Sequence, residues 1–256
     1  MITLKATDRL RWVWLGDSIT ALAWFQAAQD AITAAYSALP AATPASGGLW
    51  VPGTKAPAMP AYNPRLGNTP MFFNSGTSGN IVANLDSGWV TRVAAYAPTH
   101  LAILIGTNDG AGVPTGVGAA TDGPSYQTSL QSVIDKTLGA FPACKIFLCS
   151  PPFFGEQYPS GTNPRDSSFD DYAARMASMA AAQGLEFVDF RTKFMQTWEP
   201  QYNTPAPGII GGALGDTAGP GGQAVHPSSV SQGGRPSGMS LMCTEFLTHI
   251  TLPTPS

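Results

Sequence analysis

Five short apolar runs recur along the chain: "RWVWL" at 11–15, "MFFN" at 71–74, "LAILI" at 101–105, "KIFLC" at 145–149 and "LEFVDF" at 185–190. Each has strand length, and segments of helical period separate most of them. Between the first two, Leu22, Phe25, Ala28, Ile32, Ala35, Tyr36 and Leu39 follow a three-to-four spacing that Pro40 terminates. Similar segments lie at about 87–97, 125–140, 166–183 and 237–250. Strands alternating with amphipathic helices predict a parallel sheet covered by helices, with the apolar stripes forming the core.

Two stretches have no period. Residues 40–70 and 199–236 are rich in proline and glycine, yet they carry Trp50, Tyr62 and Tyr202. Disordered segments are poor in aromatics, and long irregular loops in a compact domain are commonly functional. Both stretches are therefore expected to be ordered loops beside a pocket, their aromatics either contacting substrate or simply pinning the loops.

The apolar runs also end alike. "RWVWLG" is followed by "DSIT" where the first helical segment begins, "MFF" by "NSGTSGN" (74–80), and "LAILI" by "GTNDG" (106–110). In a parallel sheet these ends share one edge, where α/β folds bind ligands, so the three turns should converge. A serine at a strand-to-helix junction sits near the partial positive charge of a helix start, which stabilises negative charge. Ser18 is placed as a nucleophile would be, and the simpler reading is that it caps the helix. Asp17 reads as a brace for the turn. His226, in "AVHPSS", precedes a proline shortly before the last helical segment; by itself it reads as a solvated loop histidine.

Composition removes several function classes. A chain of 256 residues accommodates one domain, expected to span 1–256. With 13 Lys+Arg against 16 Asp+Glu and no basic run, nucleic acid is not an expected partner. Only 11% of residues are charged, against 28 Gly and 23 Pro, so small polar residues and glycine-rich loops must cover the surface. Such a surface suits carbohydrate, or an extracellular or virion setting. Cys144, Cys149 and Cys243 leave at least one thiol unpaired and lack metal-type spacing, so they are expected to be buried and inert. With three histidines in the chain, no metal site is expected and no cofactor is implied. No run of about 18 apolar residues suggests a membrane span. The opening "MITLKATDRLRWVW" lacks the apolar core of an export signal. The chain is expected to be soluble and cytoplasmic, or extracellular or virion-borne if delivered by another route. Nothing in the sequence marks an oligomeric state.

"GDS" at 16–18, "NSGTSGN" after the second run, "GTND" after the third and "HP" before the final helix resemble, in order and spacing, the four sequence blocks of the SGNH (GDSL-like) hydrolases. The likeness covers residues 11–250. It implies a flavodoxin-like three-layer α/β/α sandwich with a central parallel sheet of about five strands, and ester hydrolysis through a serine acyl-enzyme. By the resemblance, Ser18 is the nucleophile and His226 the base. The backbone N–H groups of Ser18 and Gly76 and the side-chain amide of Asn108 form the oxyanion hole. The residue types fit the chemistry, since a serine hydroxyl needs an imidazole to take its proton and the tetrahedral oxyanion needs preplaced donors.

One position departs from the family, which usually has an aspartate three residues before the histidine; this chain has Gln223. An amide oxygen can hold the imidazole but stabilises an imidazolium less than a carboxylate does. Three arrangements stay open: Gln223 or a backbone carbonyl orients His226, Asp216 reaches in from "GALGDTAGPGG", or a loop insertion shifts the register. The resulting expectation is an esterase for short acyl esters, with acetylated carbohydrate as the preferred substrate class. Alternatives are an arylesterase, lysophospholipase or thioesterase of the same fold, or a non-catalytic carbohydrate-binding or virion structural module.

Overall fold

The run "RWVWLG" is an interior strand of the sheet. The computed structural model describes residues 1–5, 8–22, 24–37, 70–110, 121–152, 165–202, 227 and 237–253. A two-residue strand, Ile2–Thr3 (β1), precedes Arg11–Gly16 (β2). Strand β2 pairs in parallel with Met71–Gly76 (β3) on one side and His100–Leu104 (β4) on the other. Lys145–Cys149 (β5) and Glu186–Val188 (β6) extend the sheet, again in parallel. The order β3-β2-β4-β5-β6 is the doubly wound, flavodoxin-like arrangement, in which ligands bind beyond the carboxyl ends of the strands. Ile250–Thr251 (β7) pairs with β1 to form a separate small sheet.

The helices are Ser18–Ala21 (α1), Gln26–Ser37 (α2), Val82–Ser87 (α3), Trp89–Arg92 (α4), Gly123–Ala140 (α5), Arg165–Gln183 (α6), Phe190–Tyr202 (α7) and Gly238–Leu247 (α8). They cover both faces, and the alternation of side chains along β2 shows why. Trp12 and Trp14 point to the layer of α2, α7 and α8, with Phe25, Phe190 and Phe246. Val13 and Leu15 point to the layer of α3, α5 and α6, with Leu85, Leu130 and Met176. A strand buried on both faces must be apolar throughout, which is why "RWVWL" lacks polar alternation. None of the helices among the described residues is long and apolar enough to cross a membrane.

The first helical segment differs from its pattern. Instead of one helix through 22–39, α1 stops after Ala21 and α2 starts at Gln26. Leu22, which the spacing placed in the core, is 47% exposed. Tertiary packing breaks the helix: Phe25 stacks on Trp14 at 4.4 Å and Trp24 meets the same ring edge-on at 5.4 Å. Such aromatic contacts add about 0.5–1.5 kcal/mol each beyond burial, comparable to the helical hydrogen bonds forgone. Phe25, Ala28, Ile32 and Tyr36 are buried as expected, Ala35 is half-buried, and Leu39 lies outside the described residues. The segment at 87–97 is likewise divided, into α4 and a 3₁₀ turn at Ala94–Tyr96, with α3 ending at its first residue. Helix α7 was not legible: of its described side chains, Phe190 and Phe194 are the apolar pair that is fully buried.

All three thiols are free and buried. Burial pushes Cys144 up to about 12 and raises Cys149 and Cys243 as well, so they are poor nucleophiles near neutrality. The loops at 40–69 and 203–236, Pro227 apart, lie outside the described residues, while 199–202, expected to be irregular, form the end of α7.

Candidate active site

The three turns meet, as the sequence predicts, at the carboxyl edge of β2, β3 and β4. Gly16 is in register with Gly76 on one side and Leu104 on the other, so the chain leaves all three strands at one level. Hydrogen bonds then tie the turns together. The Gly16 carbonyl accepts from the Thr77 N–H at 3.1 Å and from Asn80 Nδ2 at 3.2 Å. The Asn80 carbonyl accepts from Asn108 Nδ2 at 2.9 Å. Both oxygens of Asp109 accept from the Val82 N–H, at 3.1 Å each, at the start of α3. Asn80, Asn108 and Asp109 are all buried. Asn80 is the link the sequence reading missed; its signal was the polar residue closing "NSGTSGN", indistinguishable there from an ordinary turn residue.

Ser18 is partly exposed and is the first residue of α1. It is not the cap. Asp17 takes that role, its Oδ1 accepting the Ile19 N–H at 2.9 Å. The serine therefore stands at the first helical position beside the helix's unpaired N–H groups. Asn108 presents a neutral amide with two N–H groups, of which the Asn80 carbonyl takes one.

Gly76 requires a correction. Its N–H, expected to face an oxyanion, donates to Asn74 Oδ1 at 2.9 Å, the local Asx bond that asparagine makes two residues ahead. Its Cα also lies against α1: an added Cβ would stand 2.2 Å from the Ala21 nitrogen. Gly76 thus packs the strand against the helix and has no N–H to offer. Gly79, three residues on in the same turn, has the opposite character. Its φ is +75°, a Cβ there would meet nothing within 4 Å, and no hydrogen bond from its N–H occurs among the described residues. Gly76→Ala is accordingly expected to lower Tm far more than Gly79→Ala, which meets only the cost of about 1–2 kcal/mol for a left-handed backbone. Equal Tm values in thermal melts would refute the tight contact with α1.

His226 lies outside the described residues, as do Gln223, Asp216, Trp50 and Tyr62; Tyr202 is the last residue of α7. The other two histidines sit at the opposite edge of the sheet. His100 opens β4, stacks on Trp12 at 4.3 Å and is pushed down to about 4 by burial, so it is neutral. His249, beyond the carboxyl end of α8, pairs with Glu186 at the start of β6, 3.2 Å away. Neither can serve a nucleophile at residue 18.

Two buried acids lie under the turns. Burial pushes the Asp17 carboxyl up to about 7; the Ile19 N–H and Thr107 hydroxyl oppose this, and the Asp109 charge adds to it. Burial likewise pushes Asp109 up to about 6, against the Val82 N–H and the Thr121 side chain. No cluster of three or more His, Cys, Asp or Glu side chains suited to a metal occurs among the described residues.

Comparison with known proteins agrees with this geometry. Residues 14–230 match the GDSL-like lipase/acylhydrolase family. Among solved structures, a GDSL-like lipase candidate from Parabacteroides merdae superposes with a TM-score of 0.64 at 20% identity, covering 96% of this chain and 97% of its own. Axe2, an acetylxylan esterase from Geobacillus stearothermophilus, superposes with a TM-score of 0.60 at 23% identity, covering 96% and 95%. LAE5, an alpha/beta hydrolase enzyme from the metagenome of Lake Arreo, gives 0.58 at 19% identity, covering 93% of each chain. No curated protein sequence matches significantly. The sequence blocks, the sheet order and the shared edge of the three turns have one common account: the chain belongs to the GDSL-like lipase/acylhydrolase family, and it is a carboxylic ester hydrolase.

Proposed function

We propose that the protein is a serine esterase that removes short acyl groups, acetyl from carbohydrate in particular, through an acyl-enzyme on Ser18. The observation that carries this reading is the hydrogen-bonded junction of the three turns, which holds Ser18 at a helix start and the Asn108 amide at the same sheet edge. His226 takes the Ser18 proton as Oγ attacks the ester carbonyl, then gives it to the leaving alcohol; water, activated by the same imidazole, releases the acid. The remaining two histidines lie at the far edge, which supports His226 as the base. The oxyanion is received by the N–H groups of Ser18 and Gly79 and by Asn108 Nδ2, with Gly79 replacing Gly76 for the reasons above. Gln223 or Asp216 holds the imidazole.

The substrate class is supported by the low charge content and by Trp50, Tyr62 and Tyr202, aromatics of the kind that stack on sugar rings. Axe2, one of the structural neighbours, is an acetylxylan esterase. Catalytic variants of Axe2 replace a serine, an aspartate and a histidine, whereas this chain has Gln223 three residues before His226. The test is kcat/KM on p-nitrophenyl esters of increasing acyl length beside acetylated xylooligosaccharides. Acetyl esters are expected to be the best substrates, with acetylated sugars exceeding p-nitrophenyl acetate. A rising kcat/KM with acyl length would assign the site to lipid-like esters instead.

A further inference from the structure

Asp17 adjoins the nucleophile, yet its surroundings do not suit an anion. The side chain is 0% exposed. Oδ1 caps α1, while Oδ2 has no hydrogen-bond partner among the described residues, and neither has the buried Thr107 hydroxyl beside it. Among the described residues, the titratable groups that face Asp17 are Asp109, from the turn after β4, and the Tyr126 phenol of α5, which donates to the Ile105 carbonyl. Helix α1 and the turn after β3 contribute no charged side chain, and no cation faces Asp17 among the described residues. An ionised carboxylate here would be fully buried with a second carboxylate nearby and the Thr107 hydroxyl as the group beside Oδ2, an expensive way to bury a charge. Asp109 shares the single Val82 N–H between its two oxygens and has the Thr121 side chain as a further hydrogen-bond partner.

We propose that Asp17 is a positioning residue that works as a neutral carboxylic acid: Oδ1 holds the start of α1, the proton on Oδ2 is shared with the Thr107 hydroxyl, and the turn presents Ser18 without a negative charge behind the oxyanion. The pair then carries one charge, on Asp109. The directions of both titrations agree, since each acid is raised by burial and Asp17 further by Asp109. The inference rests on the serine-esterase reading and adds a functional consequence. Ionisation of Asp17 as pH rises through about 7 places an anion beside the reacting oxygen, so kcat falls through the second titration of the pair. The acidic limb, where activity is lost as the base becomes protonated, belongs to His226.

The test has an arm that needs no turnover. Difference infrared spectra of wild type and Asp17→Asn at about pH 6 are expected to show a protonated-carboxyl C=O stretch in wild type that the amide lacks. Asp17→Asn keeps the capping oxygen and lends an N–H to Thr107. Its kcat near neutrality should stay within about threefold of wild type, with the alkaline limb flattened. In Asp109→Asn, where the repelling charge is gone, the alkaline limb should move to lower pH; this holds the test open if Asp17→Asn folds poorly. Absence of the band, an unmoved alkaline limb in both variants, or a loss of more than about a hundredfold in well-folded Asp17→Asn would overturn the proposal. Failure of the esterase reading shows elsewhere, as turnover that survives Ser18→Ala.

Discussion

Ser18→Ala is expected to abolish turnover and leave the fold intact. The hydroxyl carries the covalent step, and the structural duties of the turn lie with other groups: Asp17 caps α1, and Ile19 and Thr20 supply the buried side chains of that helix. Ser18 itself is partly exposed, so losing one oxygen creates no cavity of consequence. His226→Ala should fall to a similar level, because nucleophile and base act as one unit and their losses do not add. Steady-state kinetics on p-nitrophenyl acetate, with melting curves and labelling by a fluorophosphonate, check this directly. Residual kcat within about tenfold of wild type, equivalent to about 1.4 kcal/mol, would remove Ser18 from the nucleophile's role. A double variant much worse than either single one would contradict the coupling.

Asn108→Ala should lower kcat by about 10²–10³, equivalent to roughly 3–4 kcal/mol, with little change in KM, because its amide acts on charge present chiefly in the transition state. The structure adds a second consequence. Asn108 Nδ2 also donates to the Asn80 carbonyl, and Asn80 in turn donates to Gly16. Truncation leaves a buried carbonyl short of its donor, which costs about 1–3 kcal/mol of stability. Activity and Tm should therefore fall together in Asn108→Ala. Asn80→Ala should lower Tm comparably while reducing kcat less, since its side chain braces the turn and its carbonyl is retained. If Asn108→Ala raises KM alone, the amide binds ground-state substrate and the oxyanion donors must be sought elsewhere.

The strands were legible for a physical reason. Interior strands of a parallel sheet are buried on both faces, so "RWVWL", "LAILI" and "KIFLC" are apolar without alternation, and that pattern survives any packing partner. The polar glycine-containing turns after them were equally plain, because parallel strands put like ends on one edge. Order of motifs along the chain then sufficed for the family. Roles within a turn were less legible. "NSGTSGN" contains two glycines, and which N–H faces the site depends on Asn74 folding back onto Gly76 and on α1 pressing against it. The Asx habit of asparagine was a local cue to the first; the helix contact was not local at all.

The sequence by itself determined the strand and turn code of the doubly wound sheet, the convergence of the turns that carry Ser18 and Asn108, and the family, since each follows from local pattern and strand polarity. Only the tertiary structure decided what depends on neighbours distant along the chain. The aromatic cluster around Trp14 broke the first helix at Leu22 and left that leucine exposed. Packing at the amino edge took His100 and His249 out of contention. Above all, strands β2 and β4 brought Asp17 and Asp109 together, both buried, where no cation faces Asp17 among the described residues. The charge state of a buried acid is set by what surrounds it, and those surroundings exist only once the sheet has closed.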